Sequence, residues 1–288
     1  MEYLIHLGII VSIYAILGLS LNLVVGFAGL LSVTQAAFYG VGAYATALLM
    51  LRAGWGFFPS ASAGMALAGL LGLAIGKISA RFRGDYYALV SFGFNIIVWS
   101  VMLNWQGLTR GPLGVPGIPR PSFFGRMIAT NGQFLVFSLL AALIAYLICD
   151  FIVKSSFGRA LMALREDEDA LKVFGYDAPK YKLAVFAFGA MIAAFAGSLY
   201  ASYISFIDPS SFTLNESIFI LAVIIVGGLG SLEGSIFGAA FLVLLPEALR
   251  FVGFSPDVAA QMRQVAYGLI LILLMLYRTE GFMGKYKM

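Results

Sequence analysis

The sequence predicts an all-α polytopic membrane protein of about eight to nine transmembrane, broken or re-entrant helices, with one short cytoplasmic helix. Three observations carry this. The 288 residues are 61% hydrophobic and 11% charged, where a soluble domain carries about 25% charged residues. The apolar residues fall in runs near the ~20 residues that a helix needs to cross a bilayer core. Charge, in contrast, is gathered. The stretch GRALMALREDEDALKVFGYDAPKYK, 158–182, holds ten charged residues of a chain with only 18 Lys and Arg and 14 Asp and Glu. Long apolar segments flank it on both sides.

Taken in order, the apolar segments lie near 4–25, 34–51, 61–79, 86–106, 132–153, 183–206, 216–230, 234–252 and 262–278. The first has no basic start and no small-residue cleavage pattern, so it reads as a retained span rather than a removed signal peptide. Two boundaries lack loop character. VVGFAGLLSVTQ (24–35) and IVGGLGSLEGS (225–235) are Gly-rich and almost uncharged. They read as breaks inside the membrane, where backbone that leaves helical pairing must face protein or water. Both contain V-G-x-x-G-x-L, at 25–31 and 226–232, and transporters often combine two related halves with broken helices. Gly26, Gly29, Gly227, Gly230 and Gly234 are therefore candidates for a substrate path or hinge. Gly230, Gly234 and Gly238 recur every four residues, a spacing that suits close helix packing and equally a pore-lining hinge. Asn22, Thr34 and Gln35 flank the first break, and Asn95 lies within the fourth segment. Each must find a partner in the bundle or face a wet cavity, so helix–helix hydrogen bonding and substrate contact both stay open.

The connection QGLTRGPLGVPGIPRPSFFGRMIATNGQ, 106–133, is dense in Pro and Gly and reads as turns. It forms an external loop at about 107–131, and the whole of 1–288 reads as a single transmembrane domain. Placing 158–182 in the cytoplasm puts Lys77, Arg81, Arg83, Lys154, Arg159, Arg165, Lys172, Lys180, Lys182, Arg278, Lys285 and Lys287 on one side. Only Arg52, Arg110, Arg120, Arg126, Arg250 and Arg263 fall on the other. The positive-inside rule then gives a cytoplasmic C-terminus and an N-terminus outside. Membrane orientation also accounts for the net charge of +4, so no nucleic-acid partner is implied.

Catalytic chemistry has no foothold. His6 is the one histidine and has no Cys or carboxylate cluster about it, so no metal site is visible. Cys149 is the one cysteine, inside an apolar run, which excludes a disulfide framework. No G-x-x-x-x-G-K-[ST] and no G-x-S-x-G occurs, and no ladder of intramembrane charges suggests a proton relay. The sequence offers a path without an engine.

The charged stretch reads as an amphipathic helix. Ser155 or Ser156 caps its start and Gly175 ends it in the left-handed conformation. Leu161, Leu164, Leu171 and Phe174 fall near one face, with Arg159, Arg165, Glu166, Asp167, Glu168, Asp169 and Lys172 over much of the rest. Pro179 is expected to delay helix until the next span. A helix lying on lipid should be basic on its polar face. Four consecutive acids, Glu166 to Asp169, favour a protein partner over anionic lipid: an apolar stripe entering a groove, with charges setting the register.

This stretch, with the following LAVFAFGAMIAAFAGSLYA, resembles the coupling helix of ABC-importer permeases of the branched-chain amino acid (Liv-type) family. LSLNLVVGFAGLLSVTQAAFYGVGAYATALL (19–49), TRGPLGVPGIP (109–119) and VGGLGSLEGSIFGAAFL (226–242) carry the same resemblance, the last two closer to the M-type subunit. Nearly the whole chain is covered. Ser235 stands where the family often has Pro, and Arg110 where it often has the first of two adjacent Gly. The resemblance implies a permease in a bacterial plasma (inner) membrane, embedded in lipid. It implies pairing with a second related permease subunit, above two cytosolic ATPase subunits and below an extracytoplasmic substrate-binding protein. The coupling helix, about 158–176, would sit on an ATPase, and ATP and Mg would be bound by those ATPases, with no cofactor in this chain. The apolar path suits small amino acids such as Leu, Ile and Val. Urea or short amides are the alternative cargo within the family, and a stand-alone secondary carrier is the alternative class.

Overall fold

A computed structural model describes residues 2–79, 85–123, 126–250 and 281–284. The first helix, α1 (Glu2–Asn22), continues as one π-helical turn, Leu23–Phe27, before an irregular stretch leads into α2 (Gln35–Arg52). There follow α3 (Phe57–Ser79), α4 (Asp85–Asn104), a one-turn α5 (Gln106–Thr109) and α6 (Asn131–Lys154). Two short helices, α7 (Ser156–Glu166) and α8 (Glu168–Val173), precede the long α9 (Ala178–Ile204), and α10 (Leu214–Gly227) and α11 (Leu232–Arg250) follow it. The segments expected as far as 234–252 coincide with helices; the one at 262–278 lies outside the described residues.

Five of these helices, Glu2–Phe27, Phe57–Ile78, Tyr86–Asn104, Asn131–Lys154 and Ala178–Ile204, are long and apolar enough to cross a membrane. The pair α10–α11 meets the same criterion jointly but bends by 119° at its junction, which makes the number up to six among the described residues. The chain is thus an all-α polytopic membrane protein. Helix α2 spans 18 residues but is diluted by small and polar residues, because it lies in the interior of the bundle against α9 and α3. Its approach to α9 is set by glycine. A Cβ on Gly42 would stand 2.1 Å from the Ala194 carbonyl oxygen, and one on Gly197 would stand 2.0 Å from that of Tyr39. The two backbones therefore touch, as small residues permit in membrane bundles. Thr46 and Ser198 hydrogen-bond across the same seam at 2.7 Å.

Helices α4 and α6 lie at the periphery and keep exposed apolar faces, Leu89 and Ile97 on the first, Leu143 and Phe151 on the second. Thr130 starts α6 with a reciprocal capping box to Gln133. The Pro/Gly-rich connection before it is not structureless. A short strand β1 (Val115–Pro116) pairs antiparallel with β4 (Phe206–Ile207) after α9, and β2 (Ser122–Phe123) pairs with β3 (Arg126–Met127). Arg110 takes φ 61°, a left-handed conformation uncommon outside glycine. At the other end of the bundle Pro179 does not delay α9. The helix begins at Ala178 and takes the proline into its first turn, where the missing N–H would have had no partner in any case.

Candidate functional site

Two interruptions of helical backbone meet inside the bundle. In the first, the π turn ends at Phe27 and Gly29 reverses the chain at φ 70°. In the second, Gly228 (φ 118°) and Gly230 (φ 72°) separate α10 from α11. Asn22 joins them. Its amide nitrogen donates to the Ser231 carbonyl at 2.8 Å and to Ser235 Oγ at 2.7 Å, and its amide oxygen accepts from the Gly230 N–H at 3.0 Å. The side chain is fully buried. Gly26 is required for this clasp, because a Cβ there would fall 1.6 Å from Asn22 Oδ1 and 2.7 Å from the Gly230 nitrogen. Ser231 Oγ also accepts from the Gly234 N–H at 3.1 Å and so caps the start of α11. Ser235 supplies a hydroxyl acceptor that a proline at that position would lack.

The break glycines divide by role. A Cβ on Gly234 would lie 2.5 Å from the Gly227 carbonyl oxygen, and one on Gly238 would lie 2.1 Å from that of Val223. These residues close the α10–α11 packing. Gly230 precedes α11 and belongs to the break itself. The last carbonyls of α10 are satisfied by a segment distant in sequence. The N–H groups of Phe282 and Met283 donate to the Val226 and Gly227 oxygens at 3.0 and 2.9 Å.

A second polar cluster holds the stretch between the first break and α2. Asn95 Nδ2 donates to the Val33 carbonyl at 2.8 Å and to Ser217 Oγ at 2.7 Å, and Ser217 Oγ accepts the Ala36 N–H at 2.9 Å. Ser91 Oγ accepts the Val33 N–H at 3.1 Å. Gln35 reaches Ser20, whose hydroxyl donates to the Gly189 carbonyl at 2.6 Å, and Thr34 meets Ser32 at 2.9 Å. The expected path residues thus fall into two groups. Asn22 joins the two breaks, while Thr34, Gln35 and Asn95 pin the segment that follows the first. Each of the four bonds to a protein group, and the Asn95 amide oxygen is buried without a hydrogen-bond partner among the described residues.

The charged segment differs from expectation in two respects. It is two helices, because Asp167 is extended (φ −155°, ψ 109°) and its carboxylate caps α8 by accepting from the Asp169 and Ala170 N–H groups. Ser155 caps α7 by accepting from the Gly158 N–H at 3.3 Å. Gly175, at φ 85°, ends α8 in a paired-bond turn: its N–H donates to the Lys172 carbonyl and the Tyr176 N–H to that of Leu171. The apolar stripe is also largely consumed within the chain. Leu161, Leu164 and Leu171 are buried, whereas Phe174 is 80% exposed and Val173 85%. Arg159, Glu166 and Asp169 are exposed.

Arg165 turns inward. Its guanidinium donates to the Gly26 carbonyl, and its Cγ lies 2.8 Å from where a Cβ on Gly29 would stand. A cation at the carbonyl end of a helical segment is favourably placed. The segment is tied down on its other side by Glu168, whose carboxylate oxygens take Lys182 Nζ at 2.6 Å and Lys172 Nζ at 3.0 Å. Burial raises the Glu168 carboxyl pKa, but hydrogen bonds from Lys182 and Lys172 outweigh it and hold the pKa below its ordinary value. Lys182 is itself buried.

Sequence reasoning did not single out Ser231, Ser217 or Lys182, and it marked Ser235 only as a departure from the family and Glu168 only as one of four consecutive acids. The serines carry no local signal, and Lys182 only that of a lone cation at the start of an apolar run. Among the described residues no group of three or more His, Cys, Asp and Glu could hold a metal ion. The arrangement can hold two backbone breaks together and connect them to a charged segment at one end of the bundle.

A family model described as a branched-chain amino acid transport system permease component matches residues 3–277. The high-affinity branched-chain amino acid transport system permease protein LivM of Escherichia coli (strain K12) is 36% identical over 293 residues, covering 93% of this chain and 67% of that protein. A probable LivM of Methanocaldococcus jannaschii is 27% identical, covering 93% of this chain and 90% of its own. The permease protein LivH of Escherichia coli (strain K12) is 26% identical, covering 95% and 92%. No solved structure matches the chain.

Proposed function

The chain belongs to the branched-chain amino acid transport permease family, and from that premise we propose that it is the membrane-embedded permease subunit of an ATP-driven importer of branched-chain amino acids. Its relatives include both LivM and LivH proteins, which supports assembly with a second, related permease. Two cytosolic ATPase subunits, which would hold the ATP and Mg, supply the energy, and an extracytoplasmic binding protein delivers the solute. The domain is single, with eight to nine spanning or broken segments in a bacterial inner membrane and the 156–175 helices on the cytoplasmic side.

The observation that carries the reading is the continuous link from charged segment to paired breaks: Arg165 to the Gly26 carbonyl, then one turn back to Asn22 and across to Gly230, Ser231 and Ser235. Exposed Val173 and Phe174 at the end of α8 offer the apolar anchor for an ATPase groove. Movement of α7 by the ATPases pulls on the first break through Arg165, and the Asn22 clasp passes the displacement to the second. Such a link transmits work only if its contacts differ between the two states.

The test is reconstitution of the complex with its cognate subunits in vesicles. Labelled leucine, isoleucine or valine should accumulate only with ATP and binding protein, and should stimulate ATP hydrolysis. Accumulation of urea or short amides in their place would overturn the cargo. Uptake without ATPases would overturn the class.

A further inference from the structure

At the end of the bundle opposite α7 and α8, two cavities adjoin and differ in character. One, of about 390 Å³, is a crevice between α2, α3 and α4. Its walls include Leu48, Leu67, Ile97, Val101 and Trp105, and the lining is apolar apart from Tyr44, Thr109 and the indole N–H. Thr109 is turned away from it, since its hydroxyl donates to the Met102 and Trp105 carbonyls. Leu67, Ile97, Val101 and Trp105 are among the exposed apolar residues of the chain, so the crevice opens on the flank of the bundle. The other cavity, of about 240 Å³, shares Leu48 and Leu108 with the first and has Arg52 and Arg110 in its wall. No acidic side chain lines either one.

The two arginines are placed. Arg52 donates through one terminal nitrogen to the Gly107 and Leu108 carbonyls at 2.9 and 3.0 Å, which fixes the plane of the guanidinium and leaves further donors of its five for a ligand. Arg110 is carried to the same cavity on a left-handed backbone, a conformation unfavourable for an ordinary side chain. Trp55 and Trp105 are both exposed near this level, and tryptophan at a helix end marks the boundary between hydrocarbon and headgroups. The result is a cationic mouth at the interface above an apolar slot.

We propose that this is a binding site for an anionic phospholipid, its phosphodiester on Arg52 and Arg110 and an acyl chain in the crevice between α3 and α4. Charge selects the occupant. An apolar segment of a partner subunit would fill the slot but bring no anion to the two guanidinium groups, whereas a phosphate is the planar fork's natural acceptor. The site lies outside the break cluster and does not depend on the transport reading.

The test uses the full-length chain with Trp55→Phe and Trp99→Phe, which leaves Trp105 of the three tryptophans as reporter. The chain is reconstituted in phosphatidylcholine with a small fraction of acyl-brominated phosphatidylglycerol or, in parallel, brominated phosphatidylcholine. Brominated phosphatidylglycerol should quench Trp105 with a relative affinity higher by about fivefold per guanidinium, the preference of one basic side chain for an anionic membrane surface. Arg52→Gln and Arg110→Asn, the latter tolerant of the left-handed backbone, should each remove one such factor. Equal quenching by the two lipids in the unsubstituted mouth overturns the proposal, and that comparison needs no arginine variant to fold. A preference that survives both substitutions overturns it as well. Reversal of quenching by soluble glycerol phosphate assigns the mouth to a free phosphate, and reversal by leucine assigns the slot to the transported solute; either outcome removes the lipid.

Discussion

Asn22 uses its side-chain amide on one partner segment: its nitrogen donates to the Ser231 carbonyl and the Ser235 hydroxyl, and its oxygen accepts from the Gly230 N–H. Removing it orphans buried groups that water cannot reach, at a net cost of about 1 kcal/mol for each bond. Asn22→Ala is expected to lower the thermal stability of the solubilised chain by about 3 kcal/mol and to depress leucine uptake more than it depresses insertion. Gly26→Ala reaches the same end by another route, since its methyl would occupy the place of Asn22 Oδ1. The two changes therefore remove one interaction twice, and the double variant should be less damaged than the sum by about 1–3 kcal/mol. A cycle that closes additively, measured by unfolding and by uptake, would separate the two residues. Asn22 and Gly26 were legible in the sequence as neighbours of a Gly-rich break. What they grip was not, because Gly230 and Ser231 lie more than two hundred residues on and no local pattern encodes that pairing.

Helix α8 is fixed to α9 chiefly through Glu168 on Lys182. Glu168 has a depressed pKa in the fold, so its contribution is fully present above the ordinary carboxylate pKa and is lost as pH falls through the depressed value. Hydrogen exchange over 168–176 should be slow at neutral pH and accelerate in acid, and Glu168→Gln should show the fast exchange at neutral pH. The cost should be about 3 kcal/mol, because the change leaves the buried Lys182 ammonium without its counter-charge. The apolar positions of this segment separate in the same way. Leu171→Asp places a charge in a packed site and should unfold α8 itself. Phe174→Asp changes an exposed ring, leaving exchange untouched while releasing the ATPases from the purified complex. Recovery of ATPases with Phe174→Asp at the unsubstituted level would remove α8 as their anchor. The sequence pattern located this segment, its end at Gly175 and its start at Ser155 or Ser156, of which the structure uses Ser155. It did not divide the segment at Asp167, because an aspartate inside a run of helix-compatible residues caps only when the backbone there is extended, which no local pattern specifies.

As far as α11, beyond which the segment at 262–278 lies outside the described residues, the apolar helices and the two interruptions were readable from hydropathy and glycine, since the bilayer imposes one length and one rule of backbone satisfaction on every crossing. The 119° turn between α10 and α11 was not, for glycine permits many angles and only the neighbouring helices choose one. Sidedness can be read directly from the whole molecule. Cys149 is fully buried, so the native chain should resist an impermeant maleimide until denatured and serve as its own blank. Leu113→Cys and Phe174→Cys, both at exposed positions, should then label from opposite faces, Leu113→Cys in intact cells and Phe174→Cys only after permeabilisation. Labelling of Phe174→Cys in intact cells would invert the orientation. The Asn22 clasp also sets a clock. Its partner carbonyl is 209 residues downstream, and at the ribosome's 5–20 residues per second that residue is made roughly 10–40 s after Asn22. Through much of that interval the first helix is already long enough to enter the bilayer with a primary amide at its C-terminal end and its bonding partners not yet made. The nascent chain must therefore be sheltered by the insertion machinery, or by its own intervening helices, until the second half of the protein arrives.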